Sequence, residues 1–170
     1  MDVNSSVVSV GGDNFRVGGQ TVDFETLIMS VQTERANLLE SQLADQAKAI
    51  QDRNALIAQA NDMLARAQQL KNQAAQNNNA TDGGADMKAF FDQNGIKYDT
   101  TGNDMINNKD EWDVAIQGLK NFTDKLNSNS QMDMIRLQSL MNKRDQAFEM
   151  MTNVLQKTSK LNGDIISNMR

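Results

Sequence analysis

Among its 170 residues the chain has no cysteine, no histidine and no proline. Without cysteine or histidine there are no disulfides, no thiolate nucleophile, no zinc site of the usual kind and no Ser-His or Cys-His relay. Average proline usage would place roughly eight in a chain of this length, and a continuous helix tolerates none inside it, so their absence fits a helical chain. Aromatic residues are scarce, with one Trp, one Tyr and six Phe. A net charge of -5 and a pI near 4.7 argue against a nucleic-acid or anionic-membrane surface. No run approaches the roughly 20 apolar residues of a membrane span. The start, Met1-Asp2-Val3-Asn4-Ser5-Ser6, carries no basic cluster, so a Sec-type signal is not expected. The chain is therefore expected in the cytosol or exported by a route that needs no such signal.

What is present is helix-forming sequence on a heptad. Residues 1–22 are small, polar and glycine-rich; Val8, Val10, Phe15 and Val17 alternate around Gly11-Gly12-Asp13-Asn14, a marginal hairpin pattern, and disorder is the favoured expectation. Asp23 can cap a helix, with Glu25 in its first turn and Val22 and Leu27 placed for a hydrophobic staple. From Phe24 to about Gln76 there is no glycine, and Ala, Leu, Gln, Glu and Arg dominate. The spacing predicts one long helix over 23–76. Leu39, Leu43, Ile50, Ile57 and Leu64 mark its seam, with Ala36, Ala47, Ala60 and Ala67 on the same face and Asn54 and Asn61 at its edge.

A connection and small insert are expected over 77–127. Asn77-Asn78-Asn79 and Gly83-Gly84 favour a flexible link. Met87, Phe90 and Phe91 suit a short helix closed by Gly95, and Ile96-Lys97-Tyr98 an extended piece. Trp112, Ala115, Ile116, Leu119, Phe122 and Leu126 mark a further helix, opened by Asn108 and Glu111 at capping-box spacing. Phe90, Phe91, Tyr98, Trp112, Ile116 and Leu119 are the expected core of this insert. Asn127-Ser-Asn-Ser130 then reads as a break, with Ser130 and Asp133 as the capping pair of a last helix over 128–170.

That last helix carries an apolar heptad row: Met134, Met141, Phe148, Leu155, then Asn162 and Met169. A companion row runs through Leu137, Arg144, Met151, Thr158 and Ile165. Such a stripe stays on one side of a slightly underwound helix and must be covered by another helix. Methionines at 132, 134, 141, 150, 151 and 169 read either as ordinary core or as a flexible face that meets several neighbours. Arg144 either carries its charge out to solvent or pairs with a carboxylate of a neighbouring subunit. Lys143-Arg144 is too short for a nucleic-acid patch.

Chemistry-bearing patterns are weak. Asp99-Thr-Thr-Gly-Asn-Asp104 departs from a calcium loop, since Asp104 stands where glycine is needed and Thr101 replaces a preferred ligand. Asp110, Glu111 and Asp113 are explained by capping and the helix dipole. No Walker or dinucleotide motif is present. No enzyme, catalytic residue, cofactor or metal is expected; a hydrolase using the acids near Trp112 lacks a nucleophile and an orienting base.

The expected fold is all-α: two long antiparallel helices forming a coiled-coil hairpin, with a small helical insert between them. The stretch Ala89-Phe-Phe-Asp-Gln-Asn-Gly-Ile-Lys-Tyr-Asp99, then Asn103-Asp-Met-Ile-Asn-Asn108, then Trp112 to Leu126, resembles the central region of EspA/SseB-type proteins. Those proteins build the filament or tip on a bacterial type III secretion needle. Val31-Gln-Thr-Glu-Arg-Ala-Asn-Leu-Leu-Glu-Ser-Gln42 and Leu140-Met-Asn-Lys-Arg-Asp-Gln-Ala-Phe-Glu-Met-Met151 are similar to the Bordetella branch of that type. The likeness covers most of residues 24–170, and the long asparagine-rich link departs from it.

The resemblance implies a secreted structural subunit whose C-terminal helix drives assembly into a hollow tube for translocator and effector proteins. The glycine- and serine-rich start would be an uncleaved export signal. Expected partners are further copies of the chain, needle and translocator proteins, and a cytosolic secretion chaperone before export; nucleic acid and a direct membrane span are not expected. The expected location is an extracellular bacterial surface appendage. The alternative is a cytosolic coiled-coil chaperone or adaptor for a helical export substrate, which should stop at a closed oligomer.

Overall fold

The computed structural model describes residues 7–169, apart from the side chains of Asn162, Ile165 and Ile166. Its elements are β1 (Val8–Gly11), β2 (Asn14–Val17), β3 (Gln20–Asp23), α1 (Phe24–Asn77), β4 (Thr81–Asp82), α2 (Gly84–Asn94), a 3-10 turn (Thr101–Asn103), β5 (Ile106–Asn107) and α3 (Lys109–Asn168). The chain is mostly helical, and α1 and α3 are its two long helices. It is not purely α, because two small antiparallel sheets accompany the helices. Two compact units form: one joins Met1–Gln46 to Arg136–Arg170, the other is Ala47–Ile135. These units cut across the segments 1–22, 23–76, 77–127 and 128–170 expected from sequence.

In the first unit, β1, β2 and β3 form a sheet in chain order. Disorder was the expectation for residues 1–22, and over 7–22 the structure corrects it; residues 1–6 lie outside the described residues. Beyond the hairpin around Gly12 there is a second one, where Gly18 and Gly19 take φ of 55° and 85° in a two-residue turn between paired Val17 and Gln20. Positive φ at both positions is what the twist-matched tight turn needs, and glycine adopts it without a Cβ clash. The sheet is also tied to the helix it feeds. The Phe24 N–H donates to the Asp13 carbonyl at 2.8 Å, the Phe15 and Phe24 rings lie 5.9 Å apart, and Asp23 Oδ1 caps the Thr26 N–H at 2.7 Å. A lone hairpin lacks this support.

In the second unit, α1 presents Ala60, Ala67 and Ala74, all buried and seven residues apart. Small side chains at these positions leave room for the bulk of Trp112, Phe91, Met87, Met105 and Leu119, which are fully buried against them. The link expected to be flexible is built into this core. Thr81 pairs with Asn107 and Asp82 with Ile106; Thr81 Oγ1 donates to the Leu70 carbonyl at 2.9 Å and accepts from Trp112 Nε1 at 2.8 Å. Helix α2 ends at Gly95 with φ 62°, and the Ile96 N–H reaches back to the Phe91 carbonyl at 2.9 Å, closing the helix as a Schellman turn. Tyr98, half-buried, stacks edge-on against Phe91 with centroids 5.4 Å apart. At the start of α3, Asn108 Oδ1 accepts from the Glu111 N–H at 3.0 Å and Glu111 Oε2 from the Asn108 N–H at 2.7 Å, a complete capping box.

The expected break at Asn127-Ser-Asn-Ser130 does not occur: α3 runs through it. Asn and Ser together cost about 2 kcal/mol of helix propensity over four residues. Burial of the Leu126 side chain offsets that cost, and the inward row continues beyond the run at Asp133, which is held by Arg53. Asp133 therefore does not cap a new helix. Arg53 to Asp133 and Lys71 to Asp113 are ion-paired at 2.6 and 2.5 Å, so in this unit α1 and α3 run antiparallel.

Candidate assembly surface

In the first unit, the face that α3 turns inward is read from burial. Leu137, Leu140, Arg144, Met151, Val154 and Thr158 are half-buried and Ala147 is buried, at alternating spacings of three and four. Helix α1 answers with Gln32, Ala36 and Leu39, buried, and Leu43 and Gln46, half-buried, at the same alternation. This 3-4 alternation is the pattern of a heptad seam. Thr33 Oγ1 lies 3.4 Å from Met151 Sδ, a direct contact between the two helices in this unit.

The two rows read from sequence as one seam are thus separated. Leu137, Arg144 and Met151 face α1. Met141, Phe148 and Leu155 do not: they remain 42%, 44% and 58% exposed. Four residues beyond the seam position, this row sits roughly 70° around α3 from the centre of the covered face. Leu161 is exposed further along the helix and Met169 just past its end, and the Ile165 side chain lies outside the described residues. Met134 belongs to the second unit, where it is half exposed beside exposed Met132 and Ile135. The true partners of Leu137, Arg144 and Met151 in the seam are Leu140, Ala147 and Val154, which the sequence reading missed. Their signal was the 3-4 alternation, hidden by the small Ala147 and by the uniformly apolar Met141-Phe148-Leu155 row.

Arg144 sits in the covered row with its guanidinium reaching the adjacent Asp145, Nη2 at 3.2 Å and Nε at 3.4 Å from Oδ1. Asp145 and Glu149 are exposed beside the apolar row and give it an acidic rim. On the opposite flank of α3, Arg136 and Lys143 border a shallow cleft of about 460 Å3 whose floor is Leu140 and whose far wall is Gln42, Asp45 and Gln46. The cleft is open and polar-walled, with no convergent set of reactive groups.

The expected seam of α1 lies as follows: Leu39 is buried, and Leu43, Ile50, Ile57 and Leu64 are half-buried. Of the expected insert core, Phe90, Phe91, Trp112, Ile116 and Leu119 are buried and Tyr98 half-buried. Sequence reasoning also missed a second exposed apolar row, on α1: Phe24, Val31 and Leu38, each seven residues from the next. Among the described residues no group of three or more acidic side chains is placed to hold a metal ion. No helix of the described residues is long and apolar enough to cross a membrane. No protein-family model, no curated protein and no solved structure matches this chain.

Proposed function

We propose that the chain is a secreted structural subunit that self-assembles into the extracellular filament or tip of a bacterial type III secretion needle, a conduit for translocator and effector proteins. In this reading α1 and α3 form an antiparallel coiled-coil hairpin, the insert caps it, and the C-terminal half of α3 is the assembly element. The observation that carries the reading is the exposed row Met141, Phe148 and Leu155 on a helix whose neighbouring face is already covered by α1. A monomer that leaves a heptad-spaced row of large apolar side chains in water lowers its free energy by covering them with another helix. The resemblance of most of residues 24–170, outside the asparagine-rich link, to EspA/SseB-type proteins suggests the identity of the assembly. A cytosolic chaperone would guard the row before export, and needle and translocator proteins would meet the assembled form.

The test is negative-stain electron microscopy of the purified full-length protein over a concentration series, beside Phe148→Asp. The expected result is long tubes or a defined tip complex for the natural protein and none for the variant. A single small oligomer at every concentration, unaffected by Phe148→Asp, would instead favour the cytosolic chaperone or adaptor.

A further inference from the structure

Two exposed apolar rows of equal length occupy different helices of the first unit. One is Met141, Phe148 and Leu155 on α3; the other is Phe24, Val31 and Leu38 on α1, of which Leu38 is 60% exposed. The α1 row lies roughly 130° around the helix from the Ala36–Leu39 seam, so α3 of the same chain does not cover it. Both rows advance by seven residues, which keeps a stripe straight along a packed helix pair. Their charges also match. The α3 row is rimmed by Asp145 and Glu149; exposed Arg35 stands between Val31 and Leu38 and has no ion-pair partner among the described residues. Glu34 beside it keeps the α1 row from being simply basic.

We infer that the receiving surface for the α3 row is the α1 row of a second copy: Met141, Phe148 and Leu155 of one subunit lie along Phe24, Val31 and Leu38 of the next, with Arg35 facing the acidic rim. This rests on the self-assembly reading above and adds its geometry. Because the two rows differ, the contact is heterologous. After pairing, one subunit keeps a free α1 row and the other a free α3 row, so the contact repeats and grows a chain of subunits, where an α3-to-α3 contact would stop at a two-fold dimer. Antiparallel docking sets Val31 against Phe148 and brings Arg35 level with Asp145.

The test uses two full-length variants, Leu38→Asp and Phe148→Asp, each checked for natural helix content by circular dichroism. Both positions are exposed, so neither variant should unfold the monomer. Each alone should stay monomeric at concentrations at least about tenfold above the natural protein's assembly threshold. Mixed one to one, they should form a discrete heterodimer by light scattering, since one intact α1 row and one intact α3 row remain, and no polymer. Arg35→Glu should raise the threshold, and Asp145→Arg in the same chain should lower it again. Assembly by Leu38→Asp at the natural threshold, or no heterodimer in the mixture, would overturn the inference while leaving self-assembly standing. A natural protein that stays monomeric throughout would overturn both.

Discussion

Arg53 Nε donates to Asp133 Oδ2 at 2.6 Å across the α1–α3 seam of the second unit, and the aspartate side chain is only 6% exposed. A charged pair thus occupies the inward rows where apolar side chains would otherwise sit. Desolvating both ions costs several kcal/mol, and their attraction in a poorly screened site returns most of it. The pair is therefore neutral while intact and costly when half is removed. Asp133→Ala should destabilise the protein by about 3 kcal/mol, leaving the arginine without its carboxylate. Arg53→Leu combined with Asp133→Leu should recover that loss or exceed it. Chemical denaturation of the two variants checks the sign: a double variant no more stable than Asp133→Ala would mean that the pair itself stabilises the unit.

Gly118 sits inside α3 with its Cα against the chain crossing at Ile96-Lys97. A Cβ there would fall well inside contact distance of the Lys97 carbonyl oxygen and close to the Ile96 side chain. In an open helix interior, glycine to alanine gains about 1 kcal/mol. Here the sign reverses, because the crossing backbone must be pushed away; Gly118→Ala should lose about 2 kcal/mol net. Thermal unfolding followed through the single tryptophan reads the effect, and a stabilised variant would show that the crossing yields without cost.

Capping was the most legible feature of the sequence. Asp23, Asn108 with Glu111, and Gly95 act where their types and offsets indicated, because each satisfies backbone groups within its own turn. What failed was whatever depends on a distant partner. The run 127–130 is helical because Leu126 and Asp133 are held from the other helix, and local propensity carries no trace of that. The N-terminal strands hold because Phe24 and Asp13 tie the sheet to α1. Covered and uncovered heptad rows look alike in sequence: Arg144 and Ala147 face inward while Phe148 does not, since exposure follows where α1 lies.

Tyr98 and Asp92 give the insert a pH signature. The phenol donates to Asp92 Oδ1 at 2.7 Å, and Lys88 Nζ lies 2.7 Å from the other carboxylate oxygen. Hydrogen bonds from Lys88 and then Tyr98 hold the Asp92 carboxyl below its ordinary 3.8. The bond to Asp92, then burial and the carboxylate's charge, raise the Tyr98 phenol above 10.0. A lowered carboxyl stabilises the fold above its unfolded value and loses that contribution as pH falls through the folded one. A raised phenol stabilises below its unfolded value and loses it as pH climbs through the folded one. Stability from this pair should be flat between, declining in acid and again in strong alkali. The chain has one tyrosine, so phenolate absorbance reports it alone. Asp92→Asn should move that titration down toward 10.0 and remove this pair's share of the acid decline; an unmoved titration would mean that the bond is not kept in solution.

Met151 and Phe148 stand three residues apart on α3 and should answer the same substitution differently. Met151 is half-buried against α1, with its sulfur 3.4 Å from Thr33 Oγ1, whereas Phe148 is 44% exposed beside the seam. A carboxylate at Met151 must either lose water or open the helix pair, so Met151→Asp should cost the monomer about 2–3 kcal/mol. Phe148→Asp keeps its charge in water and should change monomer stability by no more than about 0.5 kcal/mol. Denaturant midpoints below the assembly threshold separate the two. If both variants unfold alike, Phe148 is part of the monomer's own core, and its effect on assembly would be indirect. If only Met151→Asp is weakened while Phe148→Asp alone abolishes assembly with its fold intact, the row beside the seam is free in the monomer and used between subunits.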